Sequence, residues 1–273
     1  MVEIPLPFYE PFDKLPGLEV NNLIEFLLIF FLCSLRLSAF LISSPFLGSR
    51  NIPLQAKIVF SMVISFFYFG FSSSLEINEY VIHNIFSLIF IEILIGVAFG
   101  LTLTIWFSAA SMAGEKIAAS TGLGFSALVD PETGGQTPVL SIVLDLFLIT
   151  IFISLNGHLI AINLIVQSYN IVEIGSRLPS LALIGAGIEA AGAMFYSAGL
   201  IMLPVVGGLL LANVALGVIT KSAPQLNLFS FGFPITIMIA FIMLYFSSRS
   251  IGGSFSELTK SALTSLENIL GIL

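Results

Sequence analysis

The chain has 273 residues, of which 57% are hydrophobic and only 9% charged, and its formal net charge is -7. A soluble domain carries about 25% charged residues, so these few charges cannot coat a water-facing surface of this size, and lipid or partner subunits must cover the rest. The acidic balance, with nine scattered Lys and Arg, excludes a basic nucleic-acid footprint, and the single cysteine, Cys33, excludes an internal disulfide or a thiolate zinc site within one chain.

The first twenty residues hold four acids, no basic n-region and no apolar h-region before Leu23, so no cleavable signal peptide is expected there. Charges then delimit long apolar runs, and these predict helices near Asn22–Ser43, Ala56–Phe71, Val81–Ala119, Pro138–Ser168, Leu181–Ile219 and Leu228–Ser248. Cys33 reads as a small apolar residue in the first of them. The second is short for a span, closed by Ser72-Ser73-Ser74. The fifth is too long for one, and Pro204 followed by Gly207 and Gly208 offers a kink or a hairpin tip. A polar, amphipathic tail is expected from Ser254.

Six alternating spans would put Lys14, Arg177, Arg249 and Lys260 on one side and Arg50, Lys57, Lys116 and Lys221 on the other. That even split gives no orientation under the positive-inside rule. Either the span count is wrong or the apolar segments do not all cross a bilayer.

Between the third and fourth segments, Gly114 to Gly135 reads GEKIAASTGLGFSALVDPETGG. Gly122, Gly124, Gly134 and Gly135 permit tight or left-handed backbone, and Asp130-Pro131 favours a turn. Such backbone persists at membrane depth only when buried in protein or lining an aqueous cavity. An ordinary surface loop is the competing reading.

Enzyme signatures are few. GEKIAAST lacks the upstream glycine of a P-loop, and Gly122-Leu123-Gly124-Phe125-Ser126-Ala127 follows a helical pattern where a dinucleotide fold needs a strand. The ionisable residues inside or beside apolar runs, Arg36, Glu92, Asp145, His158 and Glu189, are costly in hydrocarbon and point to a bundle interior, a pore or a partner. On one helix Asp145 and His158 would lie roughly 140° apart, which argues against a relay along one face. Glu25 and Arg36 would share a face at a rise of about 16 Å, too far to pair, so each is expected to meet a partner on another helix. Gly96 and Gly100 form a GxxxG, and Gly185 to Ala193 is nearly free of bulk, which serves close helix approach either between subunits or within the chain.

Four stretches, covering most of the chain, resemble the FliR and SctT family of type III secretion export proteins. They are Arg36 with Pro45–Lys57, the loop from Gly114 to Leu140, Asn156-Gly157-His158 with its following helix and Ser168, and Leu203 to Ile237 with its Ala223-Pro224-Gln225-Leu226-Asn227. Asp130-Pro131 and Gly232-Phe233-Pro234 favour the flagellar over the injectisome branch, while Lys116 departs from the family pattern.

The resemblance implies an all-α, membrane-associated fold of long bent hairpins, with a FliP-like part over residues 1–180 and a FliQ-like part over 181–273. It implies a non-catalytic gate subunit, without cofactor or metal, at the flagellar basal body in the bacterial inner membrane. It would assemble with FliP and FliQ, with FlhB at the entrance, and pass unfolded flagellar proteins. The loop would be the plug of the closed channel, with Gly122, Gly124, Phe125, Leu128, Val129, Asp130, Pro131 and Gly134 in the pore. Gly96, Gly100, Pro204, Gly207, Gly208, Pro224, Gln225 and Asn227 would serve subunit packing. The alternative is a proton-coupled transporter titrating at Glu92, Asp145 and His158, although no internal repeat of that kind is legible.

Overall fold

A computed structural model of the protein describes residues 20–48, 52–71, 85–122, 138–172, 174, 180–222 and 232–272. Among them the chain forms helices α1 (Val20–Ser43), α2 (Leu54–Phe71), α3 (Ile85–Thr121), α4 (Val139–Ser154), α5 (Gly157–Ile171), α6 (Ser180–Ser222) and α7 (Phe233–Ile272). This is an all-α membrane protein. Three of its helices, over Ile85–Thr121, Leu183–Ser222 and Pro234–Gly271, are long and apolar enough to cross a bilayer. The bent pair α4 and α5 adds a fourth if it forms one span, while α1 and α2 contribute only shorter apolar stretches. Six simple spans are therefore not what the described residues offer.

The chain divides into two compact units that interleave along the sequence. The first gathers residues 1–101, 162–183 and 270–273, and in it α1 packs along α2. Its core is built on Leu32, Leu37, Phe40, Ile95, Phe99 and Tyr169, each essentially without solvent contact. The second gathers residues 102–161 and 184–269. There Phe107 meets Phe152 edge-on with centroids 5.0 Å apart, Phe147 meets Phe255 at 5.6 Å, and Leu103, Ile117 and Leu148 complete the interior.

Three departures from the expected segments have local causes. The run Pro138–Ser168 is two helices bent by 69°. Asn156 adopts φ 57, a left-handed conformation that asparagine tolerates better than most residues. Its carbonyl then accepts the first bonds of α5, from the N–H groups of Leu159 and Ile160. Gly157 follows because a Cβ there would lie 2.5 Å from two carbons of the Phe152 ring.

The second departure is at Pro204, which lies inside a continuous α6, so no hairpin tip forms. Ala198, Ile201, Val205 and Leu209 form a buried stripe through that turn while Pro204 faces outward. Packing on one side holds the helix where proline removes a backbone donor.

The third departure is the tail, which is the second half of α7 and continuous with its apolar first half. Ile251, Phe255, Leu258, Ala262, Leu266 and Ile269 are buried, and Glu257, Lys260, Thr264 and Glu267 are exposed. That is the amphipathic pattern expected of it.

Candidate functional site

The ionisable residues resolve into distinct settings. In the first unit, Arg36 projects from α1 and is fully buried, as is Glu92 on α3. The two form a forked pair, with Arg36 Nε donating to Glu92 Oε2 at 2.6 Å and Nη2 to Oε1 at 3.1 Å. Two further bonds run to the end of α5 and the residue after it: Nη1 donates to Ser168 Oγ and Nη2 to the Val172 carbonyl, each at 3.0 Å.

The guanidinium stacks 4.4 Å from the centroid of Tyr169, whose hydroxyl donates to the Cys33 carbonyl on α1 at 2.6 Å. Ser168 completes the circuit by donating to the Ile165 carbonyl at 2.6 Å while accepting from Arg36. Arginine suits this position because its planar fork matches a carboxylate and stacks on a ring at once. A buried charge of either sign alone would be expensive; together they form a satisfied network. Arg36 has thus found its partner on another helix; Glu25 lies where side chains are outside the described residues.

Beneath this network α1 and α3 approach to backbone contact. A Cβ on Gly96 would overlap the Arg36 carbonyl oxygen and stand 2.8 Å from the Ala39 methyl. One on Gly100 would overlap Ser43 Oγ and stand 2.9 Å from the Phe40 carbonyl. The GxxxG therefore packs within the chain, against α1.

In the second unit, Asp145 is half-buried on α4 and accepts from Ser111 Oγ of α3 at 2.6 Å. Ser141 Oγ donates to the Ser111 carbonyl at 3.1 Å, and a Cβ on Gly114 would lie 2.5 Å from Ser141 Cα, so a small-residue seam joins α3 to α4. His158 is half-exposed on α5, beyond the bend that separates it from Asp145. Glu189 is exposed on α6. Arg36 and Glu92 thus pair within the first unit, while Asp145, His158 and Glu189 belong to the second.

Of the expected pore residues, Gly122 is described, and it ends α3 at φ 81 with its N–H on the Ala119 carbonyl at 3.2 Å. Gly124, Phe125, Leu128, Val129, Asp130, Pro131 and Gly134 lie outside the described residues, as do Pro224, Gln225 and Asn227. Gly207 borders open space, and Gly208 faces Met243 of α7. A cavity of about 310 Å³ opens beside Gly122, lined also by Ser120, Thr121, Asn213, Thr220 and Thr236.

The profile of the family described as bacterial export proteins, family 1, matches residues 27–262, a span that contains Arg36, Glu92, Asp145, His158 and Glu189. The chain belongs to that family. Among its relatives, the flagellar biosynthetic protein FliR of Escherichia coli K12 is 33% identical over 81% of this chain and 84% of its own length. The flagellar biosynthetic protein FliR of Bacillus subtilis 168 is 28% identical over 93% and 99%. The surface presentation of antigens protein SpaR of Shigella flexneri is 28% identical over 66% and 70%. The family assignment expected from the four quoted stretches therefore holds.

Sequence reasoning missed Tyr169, Ser111, Asn213 and Thr236 as contacts. Each is a polar side chain in a strongly apolar helix, which is itself a signal, since such groups need partners when water is excluded.

Proposed function

We propose that the chain is a structural gate subunit of the flagellar type III protein export apparatus, through which unfolded flagellar proteins cross the inner membrane. It assembles with FliP and FliQ at the basal body, with FlhB at the entrance, and catalyses no reaction. Residues 1–180 are its FliP-like part and 181–273 its FliQ-like part, and the loop that follows α3, from Gly122 to about residue 135, closes the channel; the expected loop start at Gly114 falls inside α3, which runs to Thr121. The glycine-rich backbone there swings aside at small cost, while Phe125, Leu128 and Val129 exclude water from a constriction.

Beyond kinship, the observation that carries this reading is the length of the apolar face of α6. Exposed apolar side chains run along it from Ile184 through Tyr196, Leu203 and Leu211 to Ile219, about 52 Å of helix at 1.5 Å per residue. A hydrocarbon core is about 30 Å thick. Lipid alone would cover that face only at a tilt of about 55°, outside the usual range of up to about 40°. Glu189 is exposed within the same stretch and would be costly against lipid tails. Neighbouring protein subunits cover such a face better, and the open space at Gly185, Gly187, Gly192 and Gly199 leaves room for close approach.

The transporter reading fares worse, because Glu92 is engaged by Arg36 through both oxygens and Asp145 accepts from Ser111. The flagellar branch is favoured because the Escherichia coli FliR is 33% identical over 81% of this chain, against 28% over 66% for SpaR. The test is deletion of residues 122–134 in the flagellated host. The expected outcome is deregulated or lost export together with an ion-permeable membrane. An intact barrier with normal swimming would refute the plug.

A further inference from the structure

α3 ends where the chain enters the central loop, and the last carbonyls of a helix have no partner within it. Here two successive ones are met by side chains from two other helices. Asn213 Nδ2 of α6 donates to the Ser120 carbonyl at 3.3 Å, and Thr236 Oγ1 of α7 donates to the Thr121 carbonyl at 3.0 Å. Thr121 and Thr236 are both buried. Asn213 is the only amide side chain in the 43 residues of α6, set between Leu211 and Val214. The next residue, Gly122, then turns the chain at φ 81, a conformation that bulkier residues adopt at a cost.

We infer that Asn213 and Thr236 are positioning residues that clamp the root of the central loop, fixing the direction in which the chain leaves α3 and tying it to α6 and α7. Two consecutive peptide planes are held from two helices, so the orientation of Thr121, and with it the exit at Gly122, is set from outside α3. A shift of α6 or α7 relative to α3 is then felt at the last turn of α3, through two hydrogen bonds. The consequence for closure rests on the gate reading above; the geometry of the clamp does not.

The experiment uses near-isosteric changes in the full chain, Asn213→Leu and Thr236→Val, singly and together, with Thr236→Ser as the variant that keeps the hydroxyl. Amide hydrogen exchange is followed over residues 119–122 in the solubilised protein, with residues 32–40 of α1 as an internal control, and ion leak is measured in cells. The double variant is expected to exchange about tenfold faster over 119–122, with residues 32–40 unchanged, Thr236→Ser close to the parent, and ion leak raised at equal protein level. Unchanged exchange at 119–122, or acceleration spread equally over both segments, would overturn the clamp. Faster exchange without leak, in a background where deletion of 122–134 does leak, would overturn its coupling to the gate. Should that deletion itself not leak, the gate reading fails while the exchange result still decides the clamp.

Discussion

Glu92→Leu and Arg36→Met are each expected to destabilise the protein severely, and the double change is expected to cost less than either alone. Each single change leaves an uncompensated charge with essentially no solvent access. Breaking a buried pair from one side costs about 3–5 kcal/mol, whereas replacing both partners by apolar groups of similar volume is often nearly neutral. In detergent the single variants should lose on the order of 10 °C in Tm and accumulate poorly. The double variant should recover much of that loss but not all, because Ser168, the Val172 carbonyl and the face of Tyr169 also lose the guanidinium. Glu92→Gln should fall between, since an amide oxygen still accepts one N–H while its NH₂ faces a donor. Additive single effects would show that the pair is not coupled, contrary to the geometry.

Gly96→Ala is expected to be the most damaging alanine substitution among the helical glycines of the first unit. The added Cβ meets the Arg36 carbonyl, which is backbone and cannot rotate away, so α1 must move and carry the guanidinium with it. Overpacking of this kind costs about 1–3 kcal/mol, and disturbance of the ion pair adds to it. Gly100→Ala should be milder, because its closest overlap is with Ser43 Oγ, a side-chain atom that can turn to another rotamer at the cost of its bonds to the Ala39 and Phe40 carbonyls. Gly253→Ala on α7 meets nothing within 4 Å and should stabilise by up to about 1 kcal/mol through helix propensity. Thermal melting of the three variants tests the order. A Gly96→Ala protein as stable as Gly253→Ala would contradict the close α1–α3 contact.

The pattern of apolar runs delimited by charges made the helices legible, including a second helix whose expected start at Ala56 falls two residues inside the observed Leu54–Phe71. It did not reveal the bend at Asn156, because an Asn-Gly step barely interrupts an apolar run, and the contact that requires glycine at 157, where a Cβ would meet the Phe152 ring, is visible only in the structure. The opposite error arose at Pro204, where local propensity argues for a break but the buried stripe from Ala198 to Leu209 carries the helix through. At Pro204 tertiary packing outweighs local propensity, whereas at Asn156 the local preference of an Asn-Gly step for a turn prevails over the apolar run around it.

The requirement that a buried charge find a partner led from Arg36 to another helix, but nothing in one sequence distinguishes Glu92 from Asp145 as that partner. The GxxxG was legible as a close-approach motif and silent on what approaches; the structure supplies the backbone of α1. Cys33 is the buried, unpaired residue its composition suggested, and its carbonyl, not its thiol, takes part in the Arg36 network.

As one subunit of a gate, this chain would have to be held by its neighbours. The most direct test is to tag it at its natural expression level in the flagellated host, solubilise the membrane gently and identify what co-purifies. FliP and FliQ are expected to be retained in a fixed ratio, and to remain so for Thr236→Ser but not for Glu92→Leu. A chain that purifies intact and alone, from cells that still swim, would contradict the account.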